Sequence, residues 1–115
     1  MRRNKFWNRK VEVDWIKFDS WKEAWFYQNM QLLLKAWKIK DLELQPTYVL
    51  QENFKYKWEL IRKIKYIADF SYYDFDLKMQ VIVDVKWFKT PDYKLKKKMF
   101  LNLIKDHNDT IFKEV

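Results

Sequence analysis

The sequence has no glycine and no cysteine among its 115 residues, and only two prolines. Without cysteine the chain has no disulfide framework, no thiolate nucleophile and no zinc–cysteine site, which favours a cytoplasmic protein. No apolar run approaches the roughly 18 residues of a membrane-spanning helix, and the first residues lack the apolar region of a signal peptide. These absences predict a protein that acts away from the membrane.

The absence of glycine is the least usual feature, because average usage of about 7% predicts several glycines in such a chain. Tryptophan is correspondingly frequent, at seven residues. Trp15 lies between two alternating runs, Trp37 follows a helical run and Trp58 lies in a predicted turn, all places that often carry glycine. We infer that they replace glycines of a related sequence and expect positive φ at one or more of them. The alternative is an unusually aromatic protein in which they are packed.

Positive charge dominates the polar residues. Lysine and arginine together number 24 against 16 acidic residues, which gives a formal net charge of +8. This charge favours a polyanionic partner, and nucleic acid ahead of an anionic membrane, because no strongly basic amphipathic helix stands out. We interpret residues 1–10 as a basic arm and residues 11–115 as a single domain, since 49% hydrophobic content suffices for one core.

Hydrophobic periodicity predicts an α+β domain with a central mixed sheet of about four strands, two flanking helices and an N-terminal hairpin at 11–18. A capping box at Ser20 opens a first helix that runs to about residue 36, and a second helix runs from about residue 91 to 104. Residues 42–51, 54–56 and 110–115 are predicted strands. The inward positions predicted for the helices are Phe26, Met30, Leu33, Leu34 and Trp37 in the first, and Leu95, Met99, Phe100, Leu103 and Ile104 in the second.

Two runs rich in β-branched and aromatic residues, 64–73 and 79–87, predict an antiparallel hairpin around a polar turn. With the turn centred on residues 76 and 77, Asp69 lies opposite Asp84, with Cβ atoms about 5 Å apart. Lys86 shares the face of Asp84, because side chains alternate along a strand. Two facing carboxylates beside a lysine indicate a divalent-metal site of the kind that nucleases use. The alternative is that Asp84 and Lys86 lie on the solvated face of an ordinary hairpin.

Glu23 has two interpretations that are compatible with each other. It is the third residue after the N-cap Ser20, where a capping-box glutamate belongs. It also lies three and seven residues before Phe26 and Met30, on the edge of the stripe that faces the sheet. From that edge its carboxylate could supply a third acidic group to the metal site.

Five segments extend the pattern over nearly the whole chain: residues 4–6, 13–20 with 23–24, 39–46, 66–70 and 83–90. In these segments the chain resembles a family of small phage-encoded proteins of the PD-(D/E)XK nuclease superfamily, related in pattern to Holliday-junction resolvases. The resemblance implies a restriction-endonuclease-like core in which Asp69 is the first motif aspartate, Asp84 the second carboxylate, Lys86 the motif lysine and Glu23 a helix-borne acid. The chain departs from that pattern at five positions where glycine is expected: Trp7, Trp15, Trp37, Trp58 and Trp87.

The resemblance implies Mg²⁺- or Mn²⁺-dependent hydrolysis of DNA by a structure-specific endonuclease of a phage-infected bacterial cell, acting on branched or duplex DNA and, as a resolvase, expected as a homodimer. Asp69, Asp84, Glu23 and the carbonyl of Val85 would hold the metal ion. Lys86 would orient the attacking water and stabilise the developing negative charge.

Flanking phosphates would be neutralised by cations of the arm and of the second helix. These cations are Arg2, Arg3, Lys94, Lys97 and Lys98. For the three lysines, the alternative is a solvated helix face. Two further function classes remain open. A non-catalytic nucleic-acid-binding phage protein that keeps the nuclease fold would share the charge, and a structural or partner-binding protein would account for exposed aromatic residues.

Overall fold

Within residues 10–86 and 88–115, which the computed structural model describes, the chain is an α+β domain. The predicted arm, apart from Lys10, and Trp87 lie outside the described residues. The elements in chain order are β1 (Val11–Val13), β2 (Ile16–Phe18), α1 (Trp21–Lys35), β3 (Ile39–Leu44), β4 (Thr47–Gln51), β5 (Phe54–Tyr56), β6 (Glu59–Ile61), β7 (Ile64–Ile67), β8 (Phe70–Asp74), β9 (Met79–Asp84), α2 (Pro91–Ile104) and β10 (Thr110–Glu114).

A mixed four-stranded sheet in the order β10-β9-β8-β3 forms the centre of the fold, as the sequence predicts. β8 pairs antiparallel with both β9 and β3, and β10 runs parallel to β9. β1 and β2 form the predicted N-terminal hairpin. Both predicted helices are also confirmed, with N-caps at Ser20 and Thr90 whose side chains accept a hydrogen bond from the backbone amide three residues later.

Strand β9 is buried on both faces and separates two hydrophobic clusters. Val81 and Val83 belong to the cluster with α1, the N-terminal hairpin and β8. Ile82 belongs to the other cluster, with β7 and the α2 residues Tyr93 and Phe100. A strand covered on both sides reads as a continuous apolar run, which is why residues 79–85 lack clear alternation.

Two predicted strands are each divided in two. Residues 42–51 form parts of β3 and β4, and the run 64–73 forms β7 and β8, so both predictions of a single strand are wrong. The breaks face each other: the Ala68 amide donates to the Pro46 carbonyl (3.1 Å) and the Gln45 amide to the Asp69 carbonyl (2.9 Å). Gln45 has φ 52°, and proline has no amide hydrogen for a sheet ladder, so the chain turns there. β4 and β7 consequently pair apart from the central sheet.

Some of the predicted inward positions are wrong. Trp37 lies beyond the end of α1 with 83% of its surface exposed, and Leu95 and Leu103 on α2 are exposed. Helix α2 packs through the stripe of Tyr93 and Phe100, two turns apart, and Leu95 lies about 200° around the helix axis from Tyr93. No helix in the described part of the chain is long and apolar enough to cross a membrane.

Candidate active site

The β8–β9 hairpin brings Asp69 and Asp84 to the same end of the central sheet. Phe70 pairs with Val83 and Asp74 with Met79, which confirms the register predicted from the turn. Asp69 directly precedes β8, and its amide donates to the Val83 carbonyl (3.0 Å), so Asp69 lies beside the end of β9, where Asp84 is the last residue. The ends of the two strands therefore bring both carboxylates to one edge of the central sheet.

Asp69 is held by both a strand and a helix. The Val85 amide donates to its Oδ2 (2.7 Å), and its carboxyl shares a hydrogen bond with Glu23. Burial raises the pKa of Asp69 far above its ordinary value, and the hydrogen bond and charge of Glu23, with the charge of Asp84, raise it further. The surroundings of Asp69 therefore favour the protonated form of its carboxyl group.

Glu23 takes both of the positions that the sequence predicts for it. The Glu23 amide donates to Ser20 Oγ (3.1 Å), and Glu23 Oε1 accepts from the Asp19 amide (3.0 Å), so the residue stabilises the start of α1. Its carboxyl is only 7% exposed and meets Asp69 from the side of the helix. The same capping geometry thus aims a carboxylate at the sheet edge.

Asp84 is fully buried, with 0% of its surface exposed, so the interpretation of a solvated hairpin face is wrong for this residue. The Tyr66 hydroxyl donates to its Oδ2. Lys86 Nζ lies 3.1 Å from Oδ1, yet Oδ1 accepts no hydrogen bond of good geometry from the described residues. A buried carboxylate oxygen left in this state favours a further cation or donor.

Lys86 extends from the buried carboxylate toward solvent, and 28% of its side chain is exposed. Its Nζ lies 4.5 Å from the centroid of the Tyr93 ring, within the range of a cation–π contact. Its backbone is fixed on two sides, because Lys22 of α1 donates to the Lys86 carbonyl (3.2 Å) and the Lys86 amide donates to the Val115 carbonyl (3.0 Å). The ammonium group of Lys86 thus lies at the solvent-exposed side of the site, next to Asp84.

Sequence reasoning missed three residues around the site: Tyr66, Tyr93 and Glu114. Tyr93 donates to Glu114 Oε2 (2.6 Å), while Lys89 and Lys97 each lie 3.1 Å from Oε1. The hydrogen bond from Tyr93 and the two ammonium groups lower the pKa of Glu114 to about 2. Tyr66 reaches Asp84 only because β7 leaves the central sheet, and the sequence carries no signal for that departure.

Of the predicted phosphate-binding residues, the structure describes the three lysines of α2. Arg2 and Arg3 lie outside the described residues. Lys94 and Lys98 are exposed on α2. Lys97 is engaged by Glu114, so its charge is already balanced within the protein.

A cavity of about 120 Å³ opens at the Glu23–Asp69 pair, with Lys17 and Gln45 also in its lining. It has room for several water molecules. Within the described residues, no three acidic or histidine side chains are gathered closely enough to count as a metal-binding cluster. The carboxyl group of Asp69 contacts Glu23 and the Val85 amide. The carboxyl group of Asp84 contacts Tyr66 and Lys86. The donor set of three carboxylates still suits an oxygen-preferring cation, and Asp84 Oδ1 has capacity to spare.

The comparison with known families bears on the whole domain. The family described as "Protein of unknown function (DUF1064)" matches residues 3–114. The chain belongs to this family. Every residue of the candidate site falls within the matched range, so the site is part of the DUF1064 domain and not an addition to it. No curated protein and no solved structure matches the chain.

Proposed function

We propose that this DUF1064 protein is a metal-dependent endonuclease that hydrolyses phosphodiester bonds of DNA. The observation that carries the proposal is a fully buried Asp84 flanked by Lys86 at 3.1 Å, with the Asp69–Glu23 pair at the same sheet edge. Burying a carboxylate costs several kcal/mol unless it is well paired. A buried Asp84–Lys86 pair near a second buried carboxyl pair is hard to explain by stability alone, and such buried ionisable pairs are typical of functional sites.

Asp69, Asp84 and Glu23, with the carbonyl of Val85, would hold Mg²⁺ or Mn²⁺ in the proposed enzyme. A bound divalent ion supplies Lewis-acid chemistry, since it lowers the pKa of water and neutralises charge on a phosphate. Because the raised pKa of Asp69 favours its protonated form, binding a cation there requires the carboxyl group to lose its proton. The partly exposed ammonium of Lys86 would orient the water and stabilise the negative charge that develops on the phosphate.

The proposal extends to the class of enzyme. The segments described above support membership of the PD-(D/E)XK superfamily, with a restriction-endonuclease-like core. A phage protein of this kind would act in the cytoplasm of its bacterial host on branched DNA or other recombination intermediates, and would cut symmetric junctions as a homodimer. The mixed sheet with the acidic residues at one edge, between α1 and α2, is compatible with such a core.

The proposal is tested by cleavage of a panel containing a four-way junction, a flap, a nicked duplex and a plain duplex, with Mg²⁺, Mn²⁺ or a chelator. We expect cleavage that depends on metal, and a loss of about 100-fold or more in Asp84→Asn and Lys86→Ala. Asp106→Asn is the matched control, because Asp106 is an exposed carboxylate of the described structure. Equal cleavage by the unaltered chain and by Asp84→Asn contradicts the proposal, as does a lack of cleavage by both the unaltered chain and its Trp87→Gly variant.

Trp87 needs its own variant in this experiment, because it directly follows the motif lysine. Trp87→Gly is assayed beside the unaltered chain and also in combination with Asp84→Asn. Activity that appears only in the Trp87→Gly variant, and is lost again when Asp84→Asn is added, supports the proposed chemistry. Inactivity of both the unaltered chain and Trp87→Gly, with DNA binding retained, favours the non-catalytic nucleic-acid-binding protein.

A further inference from the structure

An open groove of about 680 Å³ runs between β7 and α2. Four lysines line it: Lys63 just before β7, Lys65 within β7, Lys96 on α2, and Lys86 at one end. Its apolar lining includes Ile67 and Leu95, which are both exposed to solvent. The groove is therefore lined by positively charged and by apolar side chains.

Part of this positive charge is unbalanced within the protein. In the described residues Lys63 and Lys65 have no carboxylate within 4.0 Å, whereas Lys96 has Asp92 at 3.7 Å on the same helix. Lys63 directly precedes β7 and Lys65 lies within it, so the two lysines are two residues apart along the chain. Two neighbouring cations spaced along an extended strand, about 6–7 Å apart, match the spacing of successive phosphates better than that of a single small anion.

The groove is continuous with the candidate active site. Tyr66, Lys86 and Tyr93 line the groove, and the first two of these contact the buried carboxylate of Asp84. A polyanion lying in the groove would therefore bring one of its phosphates to the ammonium of Lys86. Lys94 and Lys98 have no comparable link, since they are not among the residues that line the groove.

We propose that the groove between β7 and α2 binds the phosphate backbone of one DNA strand and leads it to Lys86, with Lys63, Lys65 and Lys96 as the contacting cations. This inference rests on the proposed function for its substrate and names where that substrate lies. It reassigns the main phosphate contacts from the exposed face of α2 to β7 and the groove side of the helix. Binding is independent of base sequence, because the groove offers ammonium groups and aliphatic carbons but few groups that read base edges.

The test measures DNA binding by fluorescence anisotropy with a labelled four-way junction and a labelled duplex, in chelator so that no cleavage occurs. We expect the full-length Lys63→Ala/Lys65→Ala variant to bind about tenfold or more weakly, with the slope of log affinity against log salt reduced by about two. The matched control is Lys35→Ala/Lys113→Ala, which removes the same charge from exposed positions outside the groove. It should change affinity by no more than about twofold, because distant charges are screened at physiological salt. Equal thermal melts exclude a folding defect.

The outcomes separate this inference from the proposed function. Metal-dependent cleavage that is lost in Asp84→Asn, together with equal binding by the groove and control variants, overturns the groove assignment and leaves the nuclease intact. Weaker binding by the groove variant alone, without cleavage by any form of the protein, overturns the nuclease and supports the groove. A groove variant that loses affinity for poly-glutamate but not for DNA overturns the groove as a DNA site and indicates an acidic protein partner.

Discussion

Trp37 ends helix α1 in a backbone conformation that favours glycine. Its φ is 59°, its amide donates to Leu34 O (3.1 Å), and the next amide, of Lys38, donates to Leu33 O (2.9 Å). These two bonds define a Schellman motif, in which the residue after the C-cap is left-handed. The same argument applies to Trp15 in the β1–β2 turn. Asp14 and Trp15 both have positive φ (53° and 68°), as a type I′ turn requires. The expectation of positive φ is thus confirmed at two of the three tryptophans.

Replacing these two tryptophans should stabilise the protein. A left-handed conformation costs a non-glycine residue roughly 1–2 kcal/mol, and both indoles are more than 80% exposed, so little packing is lost. We expect Trp15→Gly and Trp37→Gly each to raise the free energy of unfolding by about 1 kcal/mol, measured from denaturant midpoints. Trp58→Gly is the control, because in the β5–β6 turn the positive φ (56°) belongs to Lys57. Destabilisation by both Trp15→Gly and Trp37→Gly would mean that the tryptophans are favoured by interactions that outweigh the backbone strain.

At the scale of elements, the sequence predicts what depends on local pattern. The capping serine and threonine fix the starts of α1 and α2, and the polar turn at 74–78 fixes the register of the β8–β9 hairpin. Pro46 indicates an edge or a bulge in the sequence, but the facing break at Ala68 lies within a run of good strand formers and has no sequence signal. The separation into four strands depends on the hydrogen bonds between the two breaks. The contact of Tyr66 with Asp84 depends on that separation, and it was missed for the same reason.

Helix α2 is joined to β10 through Glu114, and this junction should be sensitive to acid. Because the folded pKa of Glu114 is lowered to about 2 from an ordinary 4.5, its stabilisation is complete above pH 4.5 and is lost as the pH falls toward 2. We expect Glu114→Gln to lower the free energy of unfolding at pH 7 and to reduce its decline between about pH 5 and pH 2.5. Urea titrations across this range measure the effect, with Glu52→Gln, an exposed glutamate, as the control. Parallel pH profiles for the unaltered chain and Glu114→Gln would show that this carboxylate does not link the two elements.

At the scale of the whole molecule, Asp69 and Asp84 lie where the two hydrophobic clusters meet along β9. Burying their carboxyl groups there lowers the free energy of unfolding. The raised pKa of Asp69 means that its contribution to stability is complete below its ordinary pKa and is lost as the pH rises toward the folded pKa. We therefore expect Asp69→Asn to be more stable than the unaltered chain at about pH 8 without metal, by roughly 1 kcal/mol, and equal to it near about pH 4.

Thermal melts with and without Mn²⁺ complete this test. Metal should raise the melting temperature of the unaltered chain and should leave Asp69→Asn unchanged, because binding to the folded state alone shifts the unfolding equilibrium. Ser71→Ala is not a suitable control, since its hydroxyl accepts from Gln80. Asp106→Asn serves instead, as an exposed aspartate. Equal metal stabilisation of Asp69→Asn and the unaltered chain would exclude Asp69 as a ligand.

The parallel pairing of β10 with β9 has a consequence for the order in which the protein is made. The β8–β9 hairpin and its aspartates emerge from the ribosome early, but Glu114 and Val115, whose backbone lies against Asp84 and Lys86, emerge only after the whole of α2. Parallel pairing across an intervening helix is a slow, non-local step of folding. The edge that carries Lys86 is therefore completed only after α2 has been synthesised, and a partly synthesised chain holds the acidic residues without the strand that fixes the backbone of Lys86.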